Sequence, residues 1–475
     1  MSVPIIAYRV DIWDSNIDMK KKKNSLTAAK FMAVGFALAI LMGSILLWLP
    51  ISSATGESVS YLDALFTATT SMCVTGLVTV PTFSSWSIFG QAVILIMIQL
   101  GGLGVVTCST IAFIVLGRRI SLKNRKLVQD TYNLEHMSGM VKIVIRVVLG
   151  TLAVEGIGAV FYCFQLVPEF GWAKGIWYSV FNAVSAFCNA GMDIIGPDSL
   201  HPYVTNPLMN LTTMGLIFMG GIGFVVWWDI GGKLRRVIKR EIWPHQFWQR
   251  LELHTKIVLV MTCILIFGGA ALILILEYNN PETIGNFNFG EKVLASLFQS
   301  VTTRTAGFET ISQGNFSDAS SLLHMLLMFT GGSPMGTAGG IKTTTVAVLI
   351  LTTAAYFRGK KHTDVFGRQL TEENIRTAVV VVVSGVICLF SMIILLSVAT
   401  AGSFMDVSYE VVSALGTVGL TRGFTPTMTV AGKIIIIIGM YLGRIGPITL
   451  ASAVTVRSRE ANTDIQRPEK RILIG

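Results

Sequence analysis

Four short segments of this chain carry a glycine next to last and resemble one another: SMCVTGL at 71–77, AFCNAGM at 186–192, TTRTAGF at 302–308 and ALGTVGL at 414–420. Their glycines, Gly76, Gly191, Gly307 and Gly419, stand 115, 116 and 112 residues apart. Self-similarity at a nearly fixed period means one supersecondary unit used four times in tandem.

The surroundings of the repeat say where the unit lives. The chain is 52% hydrophobic and 13% charged, where a soluble domain carries about 25% charged residues. Residues 31–50, 87–117, 257–276 and 377–405 hold no charge at all, and a membrane-crossing helix needs roughly 20 apolar residues. The first apolar run follows a polar tail of more than 20 residues, unlike a cleavable leader. The formal charge is +10, spread over clusters at 20–23, 118–126, 233–240, 358–361 and 457–471. The connections between them carry acids instead: Glu57, Glu169, Asp198, Glu282 and Asp318. The positive-inside rule puts the basic clusters and both termini in the cytoplasm. Charges dispersed over short membrane-flanking loops are retention signals and argue against a nucleic-acid partner. The six cysteines show no ligand-pair spacing and read as buried free thiols, with no metal cluster.

Each unit has the same grammar. An apolar span, near 29–50, 143–167, 255–277 and 375–400, is followed by a short helical segment at 61–72, 176–187, 292–303 and 408–415. That segment is too short to cross a bilayer. The glycine loop comes next, and a second span, near 86–117, 206–232, 320–357 and 428–456, closes the unit. The expected fold is an all-α polytopic membrane protein: four tandem helix–pore loop–helix repeats arranged pseudo-four-fold around a central pore, with eight transmembrane spans and four pore helices. The units are expected at 25–117, 141–238, 253–357 and 373–457, between cytoplasmic tails 1–24 and 458–475.

Irregular backbone at membrane depth survives only where it lines protein or water. Carbonyls aimed inward from four such loops replace the hydration shell of a cation. The ion-binding candidates are therefore Val74, Thr75 and Gly76, then Asn189, Ala190 and Gly191, then Thr305, Ala306 and Gly307, and finally Thr417, Val418 and Gly419. One glycine per loop implies a short filter.

The second spans carry the pairs Gly101-Gly102, Gly220-Gly221 and Gly331-Gly332, with Gly443-Arg444 in the fourth unit. Small residues there allow close helix approach. The third unit adds GGSPMGTAGGIKTTT at 331–345. Five glycines and a proline inside a span should break the helix, and a flexible loop below a filter is a natural gate, with a static kink as the alternative. The gate candidates are Gly331, Gly332, Ser333, Pro334, Met335, Gly336, Thr337, Ala338, Gly339, Gly340 and Lys342, with Arg444 from the fourth unit. Arg444 either faces the pore, repelling cations or holding loop carbonyls, or pairs with Glu155. Lys342 either anchors the loop or snorkels to the interface.

The motifs CVTGL, CNAGM, TRTAGF, TVGL, GGSPMGTAGGIKTTT and GRIGP together resemble the Trk/Ktr/HKT superfamily of potassium transporters, most closely its bacterial Ktr membrane subunits. The resemblance covers about 25–460. It implies potassium uptake assisted by sodium, with the four glycines as selectivity filter, 331–342 as intramembrane gate and Arg444 as a pore-facing arginine. Gly76 stands where sodium-selective plant relatives can carry serine. The resemblance also implies a homodimer in a bacterial plasma membrane, docked on a cytosolic ring of nucleotide-binding RCK subunits. No Rossmann glycine fingerprint occurs here, so the nucleotide is expected on that partner and no cofactor in this chain. A secondary transporter of another cation or solute is the competing reading; it would be built of inverted repeats, whereas these units read as parallel. No paired carboxylates or nucleophile constellation supports an enzyme.

Overall fold

The computed structural model describes residues 28–104, 107, 108, 110, 140–197 and 199–446. Both tails, the basic clusters at 20–23, 118–126 and 457–471, and the inner ends of the first and fourth second spans lie outside these residues.

The four units follow one another. The first comprises α1 (Ala28–Trp48), α2 (Tyr61–Cys73) and α3 (Ile88–Leu103). The second comprises α4 (Met140–Phe170), α5 (Trp172–Cys188), α6 (Pro207–Gly221) and α7 (Phe224–Ile238). The third holds α8 (Leu253–Glu277), α9 (Phe289–Thr302), α10 (Asp318–Phe329) and α11 (Thr343–Phe357). The fourth holds α12 (Glu372–Ala399), α13 (Phe404–Gly416) and α14 (Val430–Ile445). The first spans α1, α4, α8 and α12 are each long and apolar enough to cross a bilayer. The half-length helices α2, α5, α9 and α13 are the four pore helices.

Polarity is distributed inside out. Val380, Val383, Ile387, Phe390 and Ile394 of α12 are exposed, while Thr69, Thr70, Ser185, Gln299, Thr302 and Ser413 are buried. A chain solvated by lipid gains nothing by hiding its apolar surface, so it packs hydrogen-bonding side chains inward.

The first pore helix starts at Tyr61 as expected, while the other three start three or four residues earlier than expected, and in three of the four a capping group sets the start. Ser60 accepts from Asp63 N, Ser403 accepts from Asp406 N, and Asn288 with Glu291 makes a capping box.

The second spans differ more from expectation. Continuous helices were expected in all but the third unit, yet α3, α6 and α14 all end at the same register. Gly104, Gly223 and Gly446 follow with φ of 83, 88 and 85°. In the second unit the chain turns by 98° between α6 and α7. The cause is legible afterwards as G-G-x-G at 101–104 and 220–223 and G-R-x-G at 443–446: only glycine takes this backbone without strain. The glycine pairs themselves make close approaches, as expected. A methyl group on Gly101, Gly220 or Gly443 would lie 2.1, 1.9 or 2.3 Å from the carbonyl oxygen of Met72, Phe187 or Leu415. The second spans of units one, two and four are thus pressed against the C-terminal turn of their own pore helices.

The six cysteines are free thiols, but only Cys73 and Cys188 are buried as expected; Cys108, Cys163 and Cys388 are half-buried and Cys263 is exposed on α8, a face that meets lipid in a bilayer.

Candidate functional site

At the end of three pore helices the chain swings into left-handed backbone at the next residue: Val74 (φ 56°), Asn189 (φ 60°) and Thr417 (φ 50°). In the third unit the same turn comes at Thr305 (φ 69°), after two intervening residues. Two residues further on, Gly76, Gly191, Gly307 and Gly419 return to positive φ, at 99, 62, 81 and 99°. Positive φ is uncommon for non-glycine residues and strained for a β-branched Val or Thr, so the four-fold recurrence reflects a constraint of the assembly.

Polar groups of the pore helices hold these loops. Thr75 N donates to Thr70 O, Ala190 N to Ser185 O and Val418 N to Ser413 O, at 2.8 to 2.9 Å. The same residues use their hydroxyls: Thr70 Oγ1 accepts from Gly76 N (2.9 Å), Ser413 Oγ from Gly419 N (3.0 Å) and Ser185 Oγ from Met192 N (3.1 Å). In the third unit Thr302 Oγ1 donates to Phe308 O at 2.6 Å. With the amides tied back to the helices, the loop carbonyls are left for other partners. The oxygens of Thr75, Ala190, Ala306 and Val418 accept no hydrogen bond among the described residues.

These four carbonyls close a ring. A methyl group on Gly76 would lie 2.5 Å from Ala190 O, one on Gly191 2.6 Å from Ala306 O, one on Gly307 2.2 Å from Val418 O, and one on Gly419 2.2 Å from Thr75 O. The order is unit one to two, two to three, three to four and four back to one. Every glycine is thus required by the neighbouring loop, and the twelve expected loop residues come together in one place.

The chain from Gly331 to Lys342 lies against this ring. Gly331 N donates to Ile341 O (2.8 Å) and Thr343 N to Gly332 O (3.1 Å), which pinch the base of the loop. Its body is stitched to the break of the second unit: Ser333 N to Gly221 O, Thr337 N to Gly220 O and Phe224 N to Met335 O. Thr337 also donates its hydroxyl to Phe187 O (3.0 Å) and accepts from Asn189 Nδ2 (3.2 Å). A methyl on Gly339 would sit 2.0 Å from Thr417 Oγ1. The loop therefore touches ring residues of units two and four.

Two cations hold successive carbonyls of the loop. Lys342 Nζ donates to Ala338 O at 2.7 Å. Arg444 donates through one terminal nitrogen to Thr337 O and through the other to Gly101 O. Lys342 anchors the loop, and Arg444 holds carbonyls of units three and one. Glu155 makes no ion pair with Arg444; it accepts from Gln99 Nε2 at 3.3 Å, with the Cys188 thiol beside it.

Sequence reasoning missed the hydroxyls of Thr70, Ser185 and Ser413. Their signal was present, since each stands six residues before its glycine.

Comparison with known proteins agrees with this geometry. The family model of TrkH, described as a cation transport protein, matches residues 12–463. The potassium/sodium uptake protein NtpJ of Enterococcus hirae is 39% identical over 96% of this chain and 99% of its own length. The Ktr system potassium uptake protein B of Bacillus subtilis is likewise 39% identical, over 94% of this chain and 97% of its own. The crystal structure of the potassium transporter TrkH from Vibrio parahaemolyticus superposes with a TM-score of 0.64, covering 91% of this chain and 86% of that one at 16% identity, and so speaks for the fold. A multi-pass helical protein with four parallel pore-loop units and matches of this extent, the chain belongs to the TrkH family of cation transport proteins.

Proposed function

We propose that this protein is the membrane subunit of a bacterial potassium-uptake system and passes K+ along the axis of the four-carbonyl ring. The observation that carries this reading is the cyclic closure of the ring, in which each glycine admits the carbonyl of the next loop. Four unpaired carbonyls around one axis can replace the water shell of a monovalent cation, and the ends of four pore helices add partial negative charge. The names of the two relatives, a potassium/sodium uptake protein and a potassium uptake protein, support K+ as the substrate.

Loop 331–342 is the gate in this proposal. Arg444 and Lys342 place positive charge beside the path and clamp the loop across it, so conduction requires the loop to leave Thr337 O and Ala338 O. The units are taken as 25–117, 141–238, 253–357 and 373–457, with cytoplasmic tails 1–24 and 458–475, in a bacterial plasma membrane. Sodium stimulates the flux, and two copies dock on a cytosolic RCK-type ring whose bound nucleotide drives the gate. The name "Ktr system" of the relative, which implies a multi-component system, supports such a partner.

Rubidium uptake in a potassium-uptake-deficient cell, with and without sodium and with a cytosolic ring partner present, tests the proposal. Sodium-stimulated uptake by the native chain that is lost or made unselective by Gly307→Ser is the expected result. No uptake by the native chain would overturn it in favour of a transporter of another solute.

A further inference from the structure

One buried cation has no part in the ring or the gate. Arg304 lies between the end of pore helix α9 and the third loop, and only 8% of it is exposed. Its Nε has no hydrogen-bond partner, and Arg304 belongs to none of the four ion pairs among the described residues. A guanidinium stays protonated in proteins and carries five donors and no acceptor. Enclosing it at membrane depth without a counter-charge is costly, and an orphaned buried donor calls for an explanation.

The side chain lines a cavity of about 20 Å³, which exceeds the roughly 10–15 Å³ that one water-sized particle needs. The other walls are mostly apolar and come from the break of the second unit (Ile217, Phe218, Gly221), α8 (Thr262), α9 (Val301) and the base of the gate loop (Gly332). The pocket is too small for a tetrahedral oxyanion or a lipid headgroup, and Thr262 offers a hydroxyl as a second donor.

We propose that this cavity binds one halide-sized monovalent anion, chloride in a cell, between Arg304, Thr262 and the base of the gate loop. A neutral water would satisfy the Nε donor and leave the charge uncompensated; a small anion does both. The bound anion cancels the field of Arg304 at the adjacent Thr305–Gly307 carbonyls, where the proposed K+ path runs, and its contact with Gly332 and Gly221 ties its occupancy to the gate's hinge. The effect on conduction rests on the potassium reading above, while the anion site itself does not.

Two measurements separate them. Crystals of the full chain soaked in bromide are expected to show an anomalous peak beside the Arg304 guanidinium, absent from Arg304→Gln and retained in Arg304→Lys. No peak in the native protein overturns the site, leaving a water at most, and a peak that persists in Arg304→Gln overturns its assignment to Arg304. In proteoliposomes, replacing chloride by gluconate is expected to lower native rubidium flux about tenfold, the scale of a unit charge acting over a short span of protein interior, and to leave Arg304→Gln unaffected. Equal native flux in both salts overturns the coupling. Absent flux in chloride overturns the potassium reading, and the bromide peak still decides the site.

Discussion

Lys433 on α14 and Asp63 on α2 form an ion pair at 2.7 Å across 370 residues of sequence. The pair joins the fourth unit to the first, so the outer rim of the ring is latched where the chain itself leaves a seam. Burial raises the Asp63 pKa, but the hydrogen bond and charge of Lys433, together with the hydroxyls of Thr79 and Ser60, outweigh it and hold the carboxyl below its ordinary value. The stabilisation is therefore present above the ordinary carboxylate range and is lost as pH falls through the lowered value. Lys433→Met is expected to cost roughly 1 to 3 kcal/mol, between the values for exposed and buried pairs. A melting temperature in detergent unchanged from native at neutral pH would remove the latch from the account.

The same rim carries a carboxyl shifted the other way. Asp193, two residues beyond Gly191, accepts from Ser199 Oγ at 2.6 Å, and burial raises its pKa from 3.8 to about 6. A raised carboxyl favours the fold in its protonated form, so its contribution is full below pH 3.8 and is lost as pH rises through about 6. Asp193→Asn should flatten the thermal stability profile across that window and raise the melting temperature at pH 7 relative to native. A profile with the native slope would show that another group titrates there.

Two glycines of α6 offer a matched pair. A methyl on Gly220 meets Phe187 O at 1.9 Å, whereas one on Gly215 meets nothing within 4 Å. Gly220→Ala should abolish uptake and folded yield, because backbone stands on both sides of the clash. Gly215→Ala should match or exceed native stability by up to about 1 kcal/mol, the helix propensity difference. Tolerance of Gly220→Ala would mean that α6 stands further from the pore helix than described.

Thr337, in the proposed gate loop, donates its hydroxyl to Phe187 O of α5 and accepts from Asn189 of the second ring loop. Thr337→Val removes both hydrogen bonds at constant shape, and a loss of about 1 kcal/mol in the closed state corresponds to roughly fivefold more resting flux. Thr337→Ser should behave as native. Deleting 335–339 should raise flux further and relieve dependence on a cytosolic partner; rubidium efflux at the native rate from either variant would make the loop a passive kink.

Much of this architecture could be read before any coordinates. The glycine period and the four uncharged first spans pointed to parallel pore-loop units, because lipid imposes apolar runs of fixed length and a ring imposes a repeated loop. The break within 331–342 was equally open, since five glycines and Pro334 cannot continue a helix. The breaks at Gly104, Gly223 and Gly446 were not. Clustered glycines in an apolar run also serve close helix packing without a break, and only the structure reveals that these three take positive φ. The partners of Arg444 were beyond reach for a different reason: they are backbone oxygens of Thr337 and Gly101, and a carbonyl has no signature in a sequence.

Among the described residues the second spans of units one, two and four break at the same glycine turn, which in the second unit leads into α7, while the break of the third is spread over the glycine-rich loop 331–342. Under the gating proposed above, three quadrants of the assembly are frame and one is a shutter. A symmetric iris must coordinate four blades, and partial displacement leaves partial apertures. A shutter carried by one quadrant has one hinge line and one set of fasteners, so permeation switches between shut and open without graded states, and whatever controls it need act at a single place in each chain.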